Sequence, residues 1–201
     1  MNNLPQSLSA WPFHSKWQEC YFSSTVYELP NRNSPMPEGF TKRTVEFKAG
    51  RTAAKQALAQ CMPNPEEPAR DPDSKLPKWP EGITGSISHS HGLAVATVAP
   101  TSHWVGLGVD VERLIPKNRA MRLQHAILHD DEASLDEWSL HEQLTCIFSA
   151  KESLFKLLNP ITGSDFGFLD AKMTEIDSEG NFSLSLLKDL SNEWPIGSRV
   201  Q

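Results

Sequence analysis

Between Leu140 and Leu158 the apolar residues Leu144, Ile147, Phe148, Phe155 and Leu158 recur at helical spacing, and Lys151 falls inside the stripe they form. A stripe of that length predicts a core helix. An ammonium group inside it costs several kcal/mol unless it snorkels to water or meets an anion. A lysine there asks for a partner, and an acidic neighbour that holds the helix would answer it. At about 100° per residue, Thr145, Ser149, Glu152 and Lys156 share one flank of the same stripe. Glu152 and Lys156 become neighbours at i and i+4. Such a pair in isolation is an ordinary surface ion pair, contributing a few tenths of a kcal/mol.

Upstream, HWVGLGVDV is an apolar, β-branched run closing on polar residues, and it reads as a strand. In a strand Asp110 and Glu112 project from one side, about 6.6 Å apart along the chain, with the Val111 carbonyl between them. Two carboxylates without a soft ligand suit a hard cation such as Mg²⁺. That ion takes oxygen ligands at about 2.1 Å and keeps water or substrate phosphate in its remaining positions. The plainer reading is a solvated strand end. With Glu152 and Lys156 added, the two stretches describe a cation-bound pyrophosphate site.

The rest of the chain frames these motifs. CYFSSTVYEL, Cys20 to Leu29, is a plausible strand, and Thr41 to Cys61 reads as a helix with Phe47, Gly50, Ala54, Ala57, Leu58 and Cys61 on one face. Its polar side carries Arg43, Lys48, Arg51 and Lys55, either a solvated face or a cradle for phosphate. Six prolines between Met62 and Glu81 predict an ordered loop or linker without a helix. ITGSIS, GLAVATVA and HWVGLGVDV then suggest a three-stranded meander. GSISHSHG is expected to turn between the first two, offering Gly85, Ser86, Ser88 and His89 in a loop that a phosphate can approach. His89 and His91 form an H-x-H without a third ligand, a weak zinc signal. After Glu112, Arg113, Lys117, Arg119 and Arg122 interleave with Met121, Leu123, Ile127 and Leu128. This is either an amphipathic helix packed on the sheet or a dock for an acidic helical partner. AKMTEI and FSLSLL flank a glycine-containing turn and predict a hairpin.

Composition limits the function classes. A chain of 201 residues with 38% hydrophobic content has material for one large domain or two small ones. Its formal net charge of −6 argues against a general nucleic-acid binder, so an anionic ligand must be held by a local cluster. Cys20, Cys61 and Cys146 are widely spaced and odd in number, which predicts neither a zinc site nor a disulfide framework and fits a reducing, cytoplasmic setting. No secretory leader pattern and no apolar run approaching about 18 residues is visible, so a soluble, unprocessed protein is expected.

GSISH at Gly85 to His89, GVDVE at Gly108 to Glu112 and FSAKESLFK at Phe148 to Lys156, in that order and spacing, resemble the 4′-phosphopantetheinyl transferases. WPEG before the first motif and EFKAGRTAAKQAL at Glu46 to Leu58 look most like the branch serving siderophore-type nonribosomal peptide synthetases, the enterobactin synthase component in particular. The resemblance runs from about residue 40 to residue 168.

It implies an α+β fold made of a pseudo-twofold pair of similar α/β subdomains, residues 1–103 and 104–201, with a boundary near Trp104 and coenzyme A in the cleft. It also implies Mg²⁺-dependent transfer of the phosphopantetheine arm of coenzyme A to a serine of an apo acyl or peptidyl carrier protein domain, releasing adenosine 3′,5′-bisphosphate. By motif position, Asp110, Glu112 and Glu152 would ligate the metal, and Lys156 would stabilise pyrophosphate oxygens. Arg43, Arg51 and His89 would hold the 3′-phosphate, with Lys75, Ser86 and Ser88 close to the nucleotide. Glu152, Lys156 and Asp110 make the catalytic set. Glu152 is the natural general base for the serine proton, yet a metal-bound carboxylate is a poorer base, so ligand and base stand as its two candidate roles. The expected protein is a monomer without a transmembrane segment, and the family would usually continue beyond Gln201 with further strand. Two alternatives are a Mg²⁺-dependent nuclease or phosphohydrolase and a non-catalytic protein that binds coenzyme A or a carrier.

Overall fold

The computed structural model describes residues 23–28, as a strand, and residues 41–201. The opening forty residues otherwise lie outside this set, including the ends of the expected Cys20 to Leu29 strand. The chain is mixed α+β. Strand β1 (Ser23–Glu28) is followed by α1 (Lys42–Leu58), the two-residue strands β2 (Ala69–Arg70) and β3 (Pro77–Lys78), β4 (Ile83–Ser90) and β5 (Leu93–Pro100). Next come α2 (Lys117–Ile127), α3 (Leu140–Thr162), a short 3₁₀ helix (Phe168–Asp170), β6 (Ala171–Ile176), β7 (Phe182–Leu186) and β8 (Arg199–Val200).

Helix α1 starts where Thr41 caps it, its Oγ1 accepting the Thr44 N–H at 3.2 Å. It packs on the antiparallel sheet β1-β5-β4 through small side chains: Ala49, Ala53, Ala54, Ala57 and Leu58 meet Ala94, Ala96 and Val98. The approach is close enough that a Cβ on Gly50 would stand 2.8 Å from Ile87 Cγ2. Phe47 and Cys61, expected on the buried face, are instead exposed, and Arg51, expected on the polar side, is only 5% exposed. Small residues, which carry a weak periodic signal, line the buried face.

The GSISHSHG stretch is also corrected. Residues through Ser90 belong to β4, paired with β5 from Ile83↔Pro100 to Ser90↔Leu93. His91 and Gly92 alone make the turn, both at positive φ. Gly85, Ser86, Ser88 and His89 therefore lie on a strand rather than in a loop. Strand alternation sends Ile87 toward α1 and sends Ser86 and Ser88 to the opposite face.

A second correction concerns residues 104–116. They do not join a sheet, although the β-branched run predicted it. The stretch runs between β4 and α3, and the Val109 and Val111 N–H groups donate to serine hydroxyls of β4 instead of to ladder carbonyls. Gly108 permits the close fit: a Cβ there would fall 1.9 Å from the Ser153 carbonyl oxygen of α3.

The larger core joins α2, α3 and the antiparallel sheet β6-β7-β8 through Ile115, Ile127, Leu144, Ile147, Leu154, Leu158, Met173, Leu184 and Leu186. The predicted hairpin is β6–β7, and α3 carries a capping box between Ser139 and Glu142. Lys151 has found its anion. Its Nζ donates to the Ile127 carbonyl at 2.7 Å and pairs with Glu132, the two side chains being 2% and 1% exposed. The second Glu132 oxygen accepts the Met173 N–H at 2.6 Å. One buried ion pair thus fastens the end of α2, the middle of α3 and the start of β6. Burial pulls the Lys151 ammonium below its usual range, and Glu132 opposes that pull. Among the described residues no helix is long and apolar enough to cross a membrane.

Removing one partner of a buried pair leaves an uncompensated charge. Lys151→Met is expected to lower stability by about 3–5 kcal/mol in urea unfolding. Lys151→Met with Glu132→Gln, which keeps an acceptor for Met173 N–H, should recover most of it. Equal loss in the single and double variants contradicts the assignment.

Candidate functional site

Three serines at alternate positions of β4 organise the site. Ser86 Oγ accepts the Val109 N–H at 3.0 Å, Ser88 Oγ accepts the Val111 N–H at 3.3 Å, and Ser90 Oγ donates to Glu112 Oε2 at 2.9 Å. Helix α3 fastens the same segment from the other side. Ser149 Oγ donates to Asp110 Oδ2 at 2.9 Å, and Thr145 Oγ1 accepts the Ile115 N–H at 2.9 Å. Side chains, not a ladder, hold this segment.

Asp110 lies at the centre of this arrangement, its side chain 4% exposed. Its Oδ1 accepts both Lys156 Nζ at 2.6 Å and Ser88 Oγ at 2.7 Å. Lys156 Nζ also donates to Ser88 Oγ at 2.9 Å. Strand β4, the acidic segment and α3 therefore meet at one carboxylate. Glu152, half-buried one turn before Lys156, has its carboxyl pushed above the usual range. Burial is the main cause, with the Asp110 and Glu112 charges adding to it and Lys156 opposing it. The like charges of the three acids act on one another across the site.

Whether these residues suit a divalent ion follows from their chemistry. All donors are hard oxygens, and the three acids outnumber the single ammonium. An added cation relieves the burial and repulsion that weigh on Glu152. Among the described residues no three His, Cys, Asp or Glu side chains already stand in a ligating cluster, so an ion requires a side-chain adjustment. A cavity of about 180 Å³ opens beside Glu152, lined by Phe155, Phe166, Gly167, Phe168 and Ala171 together with Lys151. Its rings pair closely, Phe155 with Phe166 at 5.2 Å.

The basic candidates divide. Arg51 is buried over the Phe47 ring, 4.8 Å from its centroid, and its Nη1 is a buried donor without a hydrogen-bond partner. Burial first, and then the Arg70 charge, lower its pKa, against Glu67. A buried cation with an unanswered donor is suited to an anion. Arg43 is exposed in the first turn of α1, and His89 Nδ1 lies 3.9 Å from Glu46 Oε2 on the same side of the sheet as α1. Lys75 sits in the β2–β3 loop, where its ammonium donates to the Pro72 carbonyl. Ser86 and Ser88 are buried, and their hydroxyls are engaged with the acidic segment. Sequence reasoning overlooked Ser90 and Glu132. The serine alternation along β4 was a signal for the first; nothing in the acidic stretch before α3 singled out the second.

A family model described as the 4′-phosphopantetheinyl transferase N-terminal domain matches residues 36–99, and one described as the 4′-phosphopantetheinyl transferase superfamily matches residues 106–199. Enterobactin synthase component D of Salmonella typhimurium is 34% identical over 149 residues, covering 73% of this chain and 60% of that protein. 4′-Phosphopantetheinyl transferase Svp of Streptomyces mobaraensis is 29% identical over 170 residues, 79% of this chain and 65% of the relative. 4′-Phosphopantetheinyl transferase PptT of Mycobacterium tuberculosis is 30% identical over 177 residues, 77% of this chain and 72% of the relative. The chain thus spans less than two thirds of the length of the first two. With matches along both halves, the chain belongs to the 4′-phosphopantetheinyl transferase superfamily.

Proposed function

We propose that the protein transfers the 4′-phosphopantetheine arm of coenzyme A to a serine of an apo carrier domain, and that its carriers belong to nonribosomal peptide synthetases of siderophore type. The observation that carries the reading is the meeting of Asp110, Lys156 and Ser88, with Glu152 and Glu112 within electrostatic reach. This is a diphosphate site in charge and donor type. The gap between the two family matches, residues 100–105, supports a boundary near Trp104 between subdomains 1–103 and 104–201. In each half a long helix packs on a three-stranded antiparallel sheet, which supports the pseudo-twofold reading.

Asp110, Glu112 and Glu152 would hold Mg²⁺. When bound, the ion supplies charge neutralisation on the diphosphate oxygens. The protein's own groups do the rest. Lys156 places an ammonium beside the oxygens that gain charge as the phosphorus–oxygen bond to the nucleotide breaks. Glu152 has a second candidate role: off the ion, its raised pKa suits it to take the proton of the attacking serine while the new oxygen–phosphorus bond forms. Arg51, with its unanswered Nη1, pairs with the 3′-phosphate, and Arg43 and His89 assist it. Lys75, Ser86 and Ser88 lie close to the nucleotide in this reading, the two serines by shaping the wall rather than by pointing hydroxyls at it. The aromatic cavity beside Glu152 fits the alkyl amide arm.

Exposed Arg113, Lys117, Arg119 and Arg122 surround exposed Leu114 and Met121 next to Glu112. That surface suits an acidic helix of the carrier. We read the protein as a cytoplasmic monomer. A nuclease or phosphohydrolase would want a basic groove around its carboxylates. A binding-only protein would have no need to keep Glu112 and Glu152 beside Asp110 and Lys156 at the cost of like-charge repulsion.

With Mg²⁺ and coenzyme A, the protein is expected to add about 340 Da to the serine of an apo carrier domain, measured by intact-protein mass spectrometry. No shift on a panel of peptidyl and fatty-acid carriers favours the binding-only alternative. Nucleotide or phosphate-ester cleavage without transfer favours the hydrolase.

A second expectation follows from Glu152. A carboxyl whose folded pKa lies above its unfolded value weakens the fold at neutral pH, and the cost fades as pH falls through the folded pKa. Glu152→Gln should therefore raise the melting temperature by about 2 °C at neutral pH in chelator, with the gain vanishing in acid. Adding Mg²⁺ should stabilise the parent and leave the variant unchanged. A variant that melts lower than the parent at neutral pH contradicts the like-charge cluster.

A further inference from the structure

Ser90 and His91 have no role in the scheme above, yet they touch the metal-binding segment directly. Ser90 Oγ donates to Glu112 Oε2 at 2.9 Å and lies 2.8 Å from His91 Nδ1. Proton counting assigns the second bond. A serine hydroxyl has one proton, and the Glu112 carboxylate can only accept, so that proton points at Glu112. The His91–Ser90 bond must then run from His91 Nδ1–H into Ser90 Oγ. His91 sits at the tip of the β4–β5 hairpin with φ at 51°, a conformation that costs a non-glycine residue about 1 kcal/mol. Glycine or asparagine would relieve that strain. The imidazole is therefore held at a cost where only its side chain distinguishes it. A cavity of about 280 Å³ lined by Ser90, His91, Leu93, Val111, Glu112 and Arg113 surrounds the bonded chain.

We propose that His91 and Ser90 form a two-bond relay, His91 Nδ1–H to Ser90 Oγ and Ser90 O–H to Glu112 Oε2, that fixes the Glu112 carboxylate for the divalent ion. Both are positioning residues, and the inference rests on the proposed metal role of Glu112. It extends to the third acid the hold that Ser88 and Ser149 exert on Asp110. Two of the three carboxylates are then set by partners on different elements: Asp110 by β4 and α3, and Glu112 by the β4–β5 hairpin.

The relay is tested on the full chain with two readouts. Histidine-selective ¹⁵N NMR of the metal-free parent should show His91 protonated at Nδ1, and Ser90→Ala should abolish that preference. Mn²⁺ alone, titrated by electron paramagnetic resonance, should bind Ser90→Ala about ten-fold more weakly than the parent. Ser90→Thr should restore binding, and Ser178→Ala, in the exposed β6–β7 turn, should match the parent. Pantetheinylation by Ser90→Ala should recover at saturating metal, an effect on metal affinity rather than on kcat. A bare Nδ1 in the parent overturns the relay without any variant having to fold. Unchanged Mn²⁺ affinity in folded Ser90→Ala overturns the positioning role while leaving the proposed function standing. A parent that binds no Mn²⁺ overturns the metal reading itself, and this inference with it.

Discussion

A buried carboxylate is the point where β4, the acidic segment and α3 meet. Asp110 is 4% exposed and takes bonds from Lys156 and Ser149 of α3 and from Ser88 of β4. A carboxylate so placed is tolerable only if each oxygen is answered, and here both are. The partners come from either side of residues 104–116, so the same bonds that satisfy the charge also bind the N-terminal sheet to the C-terminal helix. Fold and site share one set of contacts.

The surroundings of that carboxylate are rigid for separate reasons. On one side, alanines let α1 lie close on β5 and β4, which leaves the serines of β4 facing the acidic segment. On the other, Lys151 and Glu132 lock α3 against α2 and β6. Lys151 points into the core while Glu152 and Lys156 stand on the neighbouring flank, so the buried pair sets the rotation of the helix about its axis. Helical periodicity carries that orientation to the catalytic flank. The long connection that carries Asp110 and Glu112 is thus pinned between β4 and a helix that packing and an internal salt bridge hold in place.

Much of this was legible in the sequence. Helix α3, the flank shared by Thr145, Ser149, Glu152 and Lys156, and the need of Lys151 for an anion all followed from 3.6-residue periodicity and the cost of burying charge. The β6–β7 hairpin followed from its turn. HWVGLGVDV, residues 103–111, has the β-branched pattern of a strand, yet the Val109 and Val111 N–H groups are answered by serine hydroxyls instead of a ladder. The turn in GSISHSHG was set too early because serine and glycine favour turns, while pairing with β5 carried the strand on to Ser90. Glu132 was invisible because its partner lies on a different element, and periodicity speaks only within one element.

The central claim is that the Asp110 node forms the seat of a divalent ion. The most direct measurement is titration of Mn²⁺ into the full chain by electron paramagnetic resonance, comparing the parent with Asp110→Asn, which preserves shape and removes charge. The account predicts one tightly held ion in the parent and its loss in the variant, with far-ultraviolet circular dichroism unchanged. Equal binding in both proteins, or an ion released by neither substitution nor chelator, would contradict it.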